Sequence, residues 1–415
     1  MVALSTIEEA VEEIKAGRFL IIVDDEEREN EGDLAMAADR ITPEAINFMA
    51  THARGLICVA AEGWRLDELG LSDMVDNNTS HRQTAFTVSV DAVGRGVTTG
   101  ISAFDRASTI NVLCDPQAKP TDFAKPGHTF PLRARPGGVL ERAGHTEAII
   151  DLCKAAGRYP VGVICEIMRA DGSMARRPDL DNFAADHDVK MVSISDLIAY
   201  RRRTERLVRR GASTTITTDY GVFTITGYDD VITHAVHVAL SMGDITDEEA
   251  VLVRVHSECL TGDVFGSQRC DCRAQLHKAL AIISAEKRGV LVYLRQEGRG
   301  IGLLDKLRAY ALQDEGLDTV EANEHLGLPV DKRDYGIGTQ ILADLGVHRI
   351  RVLTNNPRKY YGLRGYGLEV VDQVPLIIPP TPHNARYLQV KRDKLGHLLE
   401  PFAQPLLSDE DTSAR

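Results

Sequence analysis

The first half of the chain alternates between two spacings of hydrophobic residues. Apolar residues at helical spacing predict helices over 6–17, 42–55 and 145–157. The apolar runs that follow them, RFLIIVDD, LICVAA and VGVICEIM, predict buried strands. Two of the helices end on a glycine, Gly17 and Gly157, which is a common helix terminator. Strands that alternate with helices predict an α/β or α+β domain with a mixed sheet.

The second half shows the same alternation after a change in amino-acid composition near residue 200. We predict helices for DVITHAVHVAL, AQLHKALAIISAEKRG, IGLLDKLRAYALQDEG and GTQILADLG, and strands for EEAVLVRVHSE, VLVYLRQ and HRIRVLTNN. Before them, SDLIAYRRRTERLVRR is predicted to continue as a helix. The predicted fold class is therefore α+β or α/β, with two domains at 1–204 and 205–415, each a mixed sheet packed with helices. Residues 401–415 are predicted to be a flexible tail.

Composition and charge narrow the classes of function. The 415 residues carry 61 acidic and 48 basic side chains, a formal net charge of −13, which argues against nucleic acid or an anionic membrane as partner. Six arginines at 201–210 form either a nucleic-acid patch or the solvated end of a helix that joins two domains, and the net acidity favours the second interpretation. No apolar run approaches the ~20 residues of a membrane span, and the N-terminus is acidic, unlike a signal peptide. We therefore expect a cytoplasmic protein with small-molecule partners.

The first candidate site is the loop DDEERENEGD at 24–33, which has seven carboxylates in ten positions. It is either a solvated acidic turn or a functional loop at the end of a strand, where ligands gather in open α/β sheets. Crowded carboxylates repel one another unless a cation joins them, and Mg²⁺ is typically held by one or two carboxylates. His145, at the start of a predicted helix, is a metal ligand, an acid or base, or a structural residue. Glu166 lies inside an apolar strand, where a carboxylate needs a partner or a role.

These segments, with TTGISAFDRAST, GHTFPLRARPGGVLERAGHTEA and ICEIM, resemble the 3,4-dihydroxy-2-butanone 4-phosphate synthase family over nearly all of residues 1–200. The resemblance implies conversion of ribulose 5-phosphate to the four-carbon phosphate plus formate, with Mg²⁺ or Mn²⁺ bound by Glu29 and His145. It implies catalytic roles for His128 and Glu166. The residues implied to contact the sugar phosphate are Arg28, Glu29, Asp33, Arg142, Ala143, Gly144, His145, Thr146 and Glu166. Cys58 either lines this pocket or is a buried core thiol.

The cysteines give the second candidate site. Three of the seven are clustered with the spacing C-x10-C-x-C, at Cys259, Cys270 and Cys272. Three thiolates without a fourth cysteine nearby fit a catalytic zinc ion, whose three protein ligands leave one position for water. The alternative is a closed structural site with His256 or His277 as the fourth ligand. The remaining four sit singly in apolar stretches and are predicted to be buried thiols: Cys58, Cys114, Cys153 and Cys165.

The segments around these cysteines, RVHSECLTGDVFGSQRCDCRAQL, RQEGRGIGLLDKLRAYALQDEGLDTVEAN, DKRDYGIG and LTNNPRKYYGL, closely resemble GTP cyclohydrolase II over about 205–400. Arg273 is a departure, because a glycine is expected after CDC. The family opens the imidazole ring of GTP, releases C8 as formate and cleaves off pyrophosphate. The resemblance implies that the three clustered cysteines bind zinc and that Mg²⁺ or Mn²⁺ accompanies the GTP phosphates.

The same resemblance implies roles for individual residues. Asp331 is implied as general base and Arg333 as nucleophile at the α-phosphate; since an arginine cation lacks a lone pair, stabilisation of phosphate charge is the alternative role. Tyr310 either faces the zinc site or packs in the core. The implied GTP contacts are Arg254, Val255, His256, Ser257, Glu258, Gln275, Glu297, Gly298, Arg299, Thr319, Thr354 and Lys359.

The whole chain thus resembles the bifunctional riboflavin biosynthesis enzymes, which carry both activities. Two alternatives remain open at this stage: one of the two domains is catalytically silent, or the protein is a zinc-stabilised GTP-binding regulator. The resemblance implies a homodimer with GTP and ribulose 5-phosphate as substrates. Neither product is the substrate of the other reaction, so channelling between the two sites is not expected.

Overall fold

The computed structural model describes residues 3–25, 28–80, 84–246, 249–328, 333, 336–356 and 368–394. They belong to two compact units, Met1–Thr204 and Glu205–Arg415. Each unit contains a seven-stranded mixed sheet packed with helices, which confirms the predicted fold class. The predicted tail, 401–415, lies outside the described residues. Within the described part of the chain, no helix has the length and apolar character needed to span a membrane.

The first unit follows the predicted alternation closely. Thr6 caps the first helix with its side chain, and Gly17 ends it with a φ of 75°. The strands are β1 (Leu20–Val23), β2 (Gly32–Ala37), β3 (Cys58–Glu62), β4 (Val90–Ala92), β5 (Phe123–Ala134), β6 (Val161–Glu166) and β7 (Lys190–Ser193). The helices are α1 (Ile7–Ala16), α2 (Pro43–Phe48), α3 (Gly63–Glu68), α4 (Ala103–Cys114), α5 (His145–Ala155), α6 (Arg177–His187) and α7 (Ile194–Thr204). A π-helical turn, Met49–Ala53, extends α2.

The sheet of this unit has the strand order β4-β5-β3-β6-β2-β1-β7 and is covered on both faces. Side chains alternate along β1, so Ile21 and Val23 join one apolar cluster while Leu20 and Ile22 join the other. This is why the LIIV run is apolar throughout. β1 ends and β2 begins at the acidic loop, so the loop lies at one edge of the sheet.

The predicted helix over 195–210 is wrong in its second half. α7 ends at Thr204, and Val208 begins the first strand of the next unit, where β-branched residues favour extended backbone. The interpretation of the arginines as a solvated helix end holds for Arg203, which is exposed, but is wrong for Arg201. Arg201 lies 2.7 Å from Asp151 Oδ2 and donates to the Gly137 carbonyl at 2.9 Å, and its side chain is only 12% exposed.

Breaking this ion pair is expected to destabilise the first unit. The Arg201→Met variant leaves the buried Asp151 carboxylate without its cation, which costs about 3–5 kcal/mol of unfolding free energy. Urea unfolding can be followed through the fluorescence of Trp64, the only tryptophan in the sequence, which lies in α3. Arg203→Met is the matched control on the same helix, because Arg203 pairs with Glu8 in solvent and its loss costs about 0–1 kcal/mol. Equal stability of the two variants would contradict the assignment.

The second unit is built on a sheet with the order β14-β13-β11-β12-β10-β9-β8. Its strands are β8 (Val208–Thr218), β9 (Gly221–Asp230), β10 (Val236–Met242), β11 (Val251–Ser257), β12 (Gly289–Leu294), β13 (Arg349–Leu353) and β14 (Glu369–Val374). Its helices are α8 (Leu260–Asp263), α9 (Cys272–Glu286), α10 (Leu303–Asp314), α11 (Thr319–His325), α12 (Gly336–Asp344) and α13 (Ala385–Asp393). β11, β12, β13 and β14 run parallel, so their carboxyl ends meet at one edge.

The predicted helix DVITHAVHVAL is wrong, because Val236–Met242 form strand β10. His237 and Ala239 are buried while their neighbours are more exposed, which is the period of two expected for a strand. Short apolar runs fit either spacing, and here pairing with β9 on one side and β12 on the other decides the structure.

Candidate active sites

The acidic loop of the first unit folds around Asp24. The Asp24 carboxylate accepts hydrogen bonds from the backbone N–H groups of Glu29 (3.0 Å) and Glu31 (2.9 Å) and pairs with Arg28 at 2.9 Å. Asn30 adopts a positive φ of 54°, which turns the chain back toward β2. The described residues of this loop thus form an organised turn, in contrast to the solvated acidic turn that the sequence left open.

The turn brings three potential metal ligands together. Ligand atoms of Asp24, Glu29 and His145 all lie within 4.8 Å of one another. Glu29 Oε2 is 3.8 Å from His145 Nδ1, and Asp33 Oδ1 is 3.9 Å from the same nitrogen. Burial lowers the pKa of His145 to about 4, so the imidazole is neutral at pH 7 and has a lone pair for a cation.

Two buried polar atoms at this cluster have no hydrogen-bond partner among the described residues. They are His145 Nε2 and Asp33 Oδ1. Buried polar groups in native proteins are nearly always paired, so such orphans indicate a ligand or an ion. The donor set of two carboxylates and one neutral imidazole fits a hard divalent cation.

A second pair of carboxylates adjoins the cluster. Asp33 on β2 lies directly opposite Glu166 on β6, so the two side chains leave the sheet on the same face. Burial raises the pKa of both carboxyls, that of Asp33 well above its usual range. Glu166 is held by the backbone N–H of Leu56 at 2.9 Å. These two groups therefore hold a proton more readily than exposed carboxyls do, which suits an acid–base role.

The start of α5 supplies the remaining side chains of this site. His145 is the first residue of α5 and Thr146 the second, and both are buried. Arg142 donates to Glu147 at 2.6 Å and to Thr84 at 3.2 Å, which fixes the guanidinium before the helix. A Cβ on Gly144 would lie 2.1 Å from an Arg142 nitrogen, so a larger residue here would displace the guanidinium. Free N–H groups at a helix start attract an anionic group such as phosphate.

His128 and Cys58 lie outside the Asp24–Glu29–His145 cluster. His128 lies on β5 and its Nδ1 is 2.7 Å from Asp91 Oδ2, on β4. Following the strand registers from His128 to Asp33 crosses three strand spacings, about 14 Å, so His128 is not part of the Asp24–Glu29–His145 cluster. Cys58, for which pocket and core were both open, is 3% exposed and packs in the core.

The three clustered cysteines of the second unit come together beyond the end of β11. Their sulfur atoms lie within 4.8 Å of one another, and Cys259 Sγ is 3.7 Å from Cys270 Sγ. Hydrogen bonds from Cys270 and Cys272 lower the pKa of Cys259 far below that of a free thiol. Three sulfur atoms at this distance fit a cation that prefers sulfur, such as zinc.

Neither candidate for a fourth protein ligand joins the sulfur cluster. His256 Nε2 is 3.1 Å from Asp263 Oδ2, and the His256 ring stacks on Tyr293. His277 Nδ1 is 2.6 Å from the Tyr220 hydroxyl. The closed structural site considered above is therefore not formed by these histidines. An open position beside three sulfur ligands is the arrangement of a catalytic zinc site.

Gly262 leaves the room that a metal ion needs. A Cβ on this residue would lie 2.8 Å from Cys270 Sγ and 3.1 Å from Cys259 Sγ. We expect Gly262→Ala to lower zinc affinity by roughly 10–100-fold, as other changes around metal ligands do. Zinc retention against a colorimetric chelator measures this. Gly227→Ala is the control, since its added Cβ meets nothing closer than 3.9 Å; equal zinc retention in both variants would contradict the site.

Lys306, which the sequence reasoning missed, stands beside the sulfur cluster. Its Nζ lies 3.2 Å from Cys259 Sγ and 2.6 Å from Glu297 Oε1. Burial alone would lower the pKa of Lys306, but hydrogen bonding to Glu297 and the Cys259 charge raise it, so the side chain stays cationic. Tyr310, one helical turn further along α10, lies 3.3 Å from the Thr261 hydroxyl. That i, i+4 spacing was the available signal for Lys306.

These groups line one open cavity at the carboxyl edge of the sheet. Arg333 also lines it, as do the three cysteines and Tyr310. The predicted GTP contacts that line it are Arg254, His256, Ser257, Glu258, Gln275, Glu297, Gly298, Arg299, Thr319 and Thr354. Val255 is an exception: its side chain is buried in β11, toward Gly338 of α12. Asp331 and Lys359 lie outside the described residues.

Comparison with known proteins identifies both units. The chain matches the family models of 3,4-dihydroxy-2-butanone 4-phosphate synthase over residues 8–200 and of GTP cyclohydrolase II over residues 209–375. It is 59% identical over 396 residues to the riboflavin biosynthesis protein RibBA of Aquifex aeolicus (strain VF5), covering 95% of this chain and 98% of that protein. It is 60% identical over 393 residues to the RibBA protein of Bacillus cereus (strain G9842), with the same coverage.

A solved structure shares the two-domain fold and the synthase assignment. The crystal structure of RibBX, a two-domain 3,4-dihydroxy-2-butanone 4-phosphate synthase from A. baumannii, is 40% identical, with a TM-score of 0.69 over 89% of this chain and 99% of that one. The chain belongs to the family of bifunctional riboflavin biosynthesis proteins that join a 3,4-dihydroxy-2-butanone 4-phosphate synthase to a GTP cyclohydrolase II. It acts in riboflavin biosynthesis as both a lyase and a hydrolase.

Proposed function

We propose that residues 1–204 convert D-ribulose 5-phosphate to 3,4-dihydroxy-2-butanone 4-phosphate plus formate. Residues 205–415 hydrolyse GTP to 2,5-diamino-6-ribosylamino-4(3H)-pyrimidinone 5′-phosphate, formate and pyrophosphate. The observation that carries this proposal is the separation of two unlike ligand clusters: Asp24, Glu29 and His145 lie in the segment matched to the synthase, and the three cysteines lie in the segment matched to the cyclohydrolase.

The residues of the first cluster fit the synthase reaction. Glu29 and His145, joined by Asp24, would hold Mg²⁺ or Mn²⁺, which supplies Lewis-acid stabilisation of a developing enolate oxygen. The reaction also needs proton transfers, and the raised pKa values of Asp33 and Glu166 support an acid–base role for both. His128, oriented by Asp91, keeps the catalytic role that the family resemblance implies, from outside the Asp24–Glu29–His145 cluster.

The remaining contacts proposed for this substrate follow from charge and position. Arg28 and Arg142 are the cations that would face the sugar phosphate, and the N–H groups from Gly144 to Thr146 start a helix. Ala143 and Glu29 complete the substrate-binding set carried over from the family resemblance. The guanidinium of Arg142 is already fixed by Glu147, so little conformational entropy is lost when substrate binds.

The second site fits hydrolysis at two places on GTP. Cys259, Cys270 and Cys272 would hold Zn²⁺, which lowers the pKa of water for attack at C8. Burial raises the pKa of Tyr310 to about 12, so its hydroxyl stays protonated and can donate a hydrogen bond beside the ring-opening step. Arg333 lines the same cavity, where its cation would stabilise charge at the α-phosphate, with Asp331 as proton acceptor.

We also propose that the protein is a homodimer in the cytoplasm, without nucleic-acid or membrane partners. Exposed apolar side chains support a dimer: Val93, Ile101 and Phe104 are 55%, 55% and 70% exposed in the first unit. Three thiols that must stay reduced to bind metal support a reducing compartment. Light scattering tests the dimer: we expect twice the 45.5 kDa chain mass, and a monomer mass would contradict it.

Selective metal restoration tests the proposed assignment of cofactors. The purified chain is stripped with a chelator and assayed for formate from GTP and, separately, from ribulose 5-phosphate. We expect both activities to be lost. Zn²⁺ together with Mg²⁺ should restore GTP hydrolysis, and Mg²⁺ or Mn²⁺ alone should restore only the synthase reaction. Full GTP ring opening in Mg²⁺ without zinc would contradict the zinc assignment.

A further inference from the structure

Helix α13 reaches the nucleotide cavity from a part of the chain beyond the family match. The matched segment of GTP cyclohydrolase II ends at residue 375, whereas α13 spans Ala385–Asp393. Two of its side chains, Tyr387 and Lys391, nevertheless line the same cavity as the three cysteines. The helix therefore contributes to the wall of the site.

Lys391 makes a buried ion pair with the zinc-ligand turn. Its Nζ lies 2.7 Å from Asp271 Oδ1, and Asp271 is the residue between Cys270 and Cys272. The two residues are 8% and 4% exposed. A buried charge that loses its partner is strongly destabilised, so each of these residues holds the other in place.

The ion pair continues into a chain of hydrogen bonds across the cavity floor. The other Asp271 oxygen accepts from Gln275 Nε2 at 2.5 Å, and Gln275 Oε1 accepts from Arg254 at 2.6 Å. Arg254 in turn donates to the Leu353 carbonyl at 2.8 Å, at the end of β13. Lys391 thus links α13 to the turn that carries two sulfur ligands and, through it, to the central strands.

The C-terminal end of α13 is also tied to another wall of the cavity. Lys394, just after the helix, pairs with Asp318 and with Glu321 Oε1, at 3.0 Å for the second contact. These acids lie at the start of α11, where Thr319 lines the cavity. Lys391 and Lys394 are three residues apart, so the C-terminal end of the helix is held against both the zinc-ligand turn and α11.

We propose that α13 is part of the cyclohydrolase active site, and that Lys391 is a positioning residue that fixes the Cys270–Asp271–Cys272 turn for zinc binding. This inference rests on the proposed zinc-dependent hydrolysis of GTP. Groups that orient metal ligands without touching the metal typically contribute roughly 10–100-fold to affinity or activity. Lys391 acts in this way through Asp271 and needs no direct contact with zinc.

The test compares two substitutions on the same helix in the full-length enzyme. Lys391→Met removes the cation but keeps the length of the side chain. Arg392→Met is the matched control, because Arg392 pairs with its exposed neighbour Asp393. Zinc affinity is measured by competition with a colorimetric chelator, and formate release from GTP gives kcat and KM. Formate release from ribulose 5-phosphate by the same preparations reports on the first unit.

We expect Lys391→Met to bind zinc roughly 10–100-fold more weakly, with a lower kcat on GTP. Lys391→Arg should restore most of the zinc affinity, and Arg392→Met should match the parent. Parent-like zinc affinity in Lys391→Met overturns only this inference and leaves the proposed function standing. A parent enzyme that binds no zinc overturns the proposed function, and this inference with it. If circular dichroism shows Lys391→Met to be unfolded, Lys391→Gln takes its place. Weaker zinc binding by Lys391→Gln then supports the inference, and parent-like zinc affinity overturns it.

Discussion

Replacing Glu29 by glutamine is expected to reduce formate release from ribulose 5-phosphate by roughly 10²–10³-fold or more. Glu29 is one of three groups whose ligand atoms lie within 4.8 Å of one another, and a neutral amide cannot balance the charge of a divalent cation there. Loss of one electrostatic stabiliser in a buried site commonly costs about 10²–10³ in rate. Steady-state formate release measures the effect, and His145→Ala should behave in the same way.

Glu31→Gln is the matched control for this prediction. It makes the same chemical change two residues along the loop, at a half-buried carboxylate outside the Asp24–Glu29–His145 cluster. We expect it to keep most of the synthase activity. GTP hydrolysis should be normal in both variants, because the affected cluster lies in the other unit. Normal turnover of ribulose 5-phosphate by Glu29→Gln would refute the metal-site assignment.

Cys270→Ser is expected to lose both zinc and the ring-opening reaction of GTP. A hydroxyl is a poor replacement for a thiolate toward zinc, and losing a Lewis acid worth several kcal/mol lowers the rate by on the order of 10³-fold or more. Pyrophosphate release should persist, because it depends on the arginine side of the cavity rather than on the sulfur cluster. Bound zinc, formate and pyrophosphate are measured on the same preparation.

The control for the thiol change is Cys114→Ser, a half-buried cysteine of the first unit. Burial raises the pKa of Cys114 to about 12, so it is a neutral thiol without a role as metal ligand. We expect it to retain zinc and both activities. A Cys270→Ser enzyme that opens GTP at the parent rate without metal would contradict a catalytic zinc ion.

The sequence predicts the fold well where the hydrophobic period is long and marked at its ends. The helix over 6–17 and the LIIV strand follow directly from their spacing and from Gly17. The prediction is wrong at Val236–Met242, since a seven-residue run fits both periods and β12, one of its two strand partners, lies far along the chain. It is also wrong beyond Thr204, where a charged helix end runs into a β-branched strand without a glycine or proline between them.

The sequence likewise predicted some residues of the candidate sites and missed others. The cysteine spacing and the acidic loop were visible in the sequence, because each is a local cluster. Lys306 had only its i, i+4 spacing to Tyr310 as a signal, and Lys391 had none. Their partners Cys259 and Asp271 are 47 and 120 positions away and meet them only through packing of the sheet edge. The sequence also did not distinguish Val255 from the predicted contacts that line the cavity. Its side chain turns into the core because strand neighbours point to opposite faces.

The central claim is that one chain holds two independent active sites. The most direct test measures formate from GTP and from ribulose 5-phosphate for the parent enzyme, Glu29→Gln and Cys270→Ser in parallel. The account predicts that the parent uses both substrates, that Glu29→Gln loses only the ribulose 5-phosphate reaction, and that Cys270→Ser loses only the ring opening of GTP. A single substitution that abolishes both reactions in a folded enzyme, or a parent that releases formate from only one substrate, would contradict it.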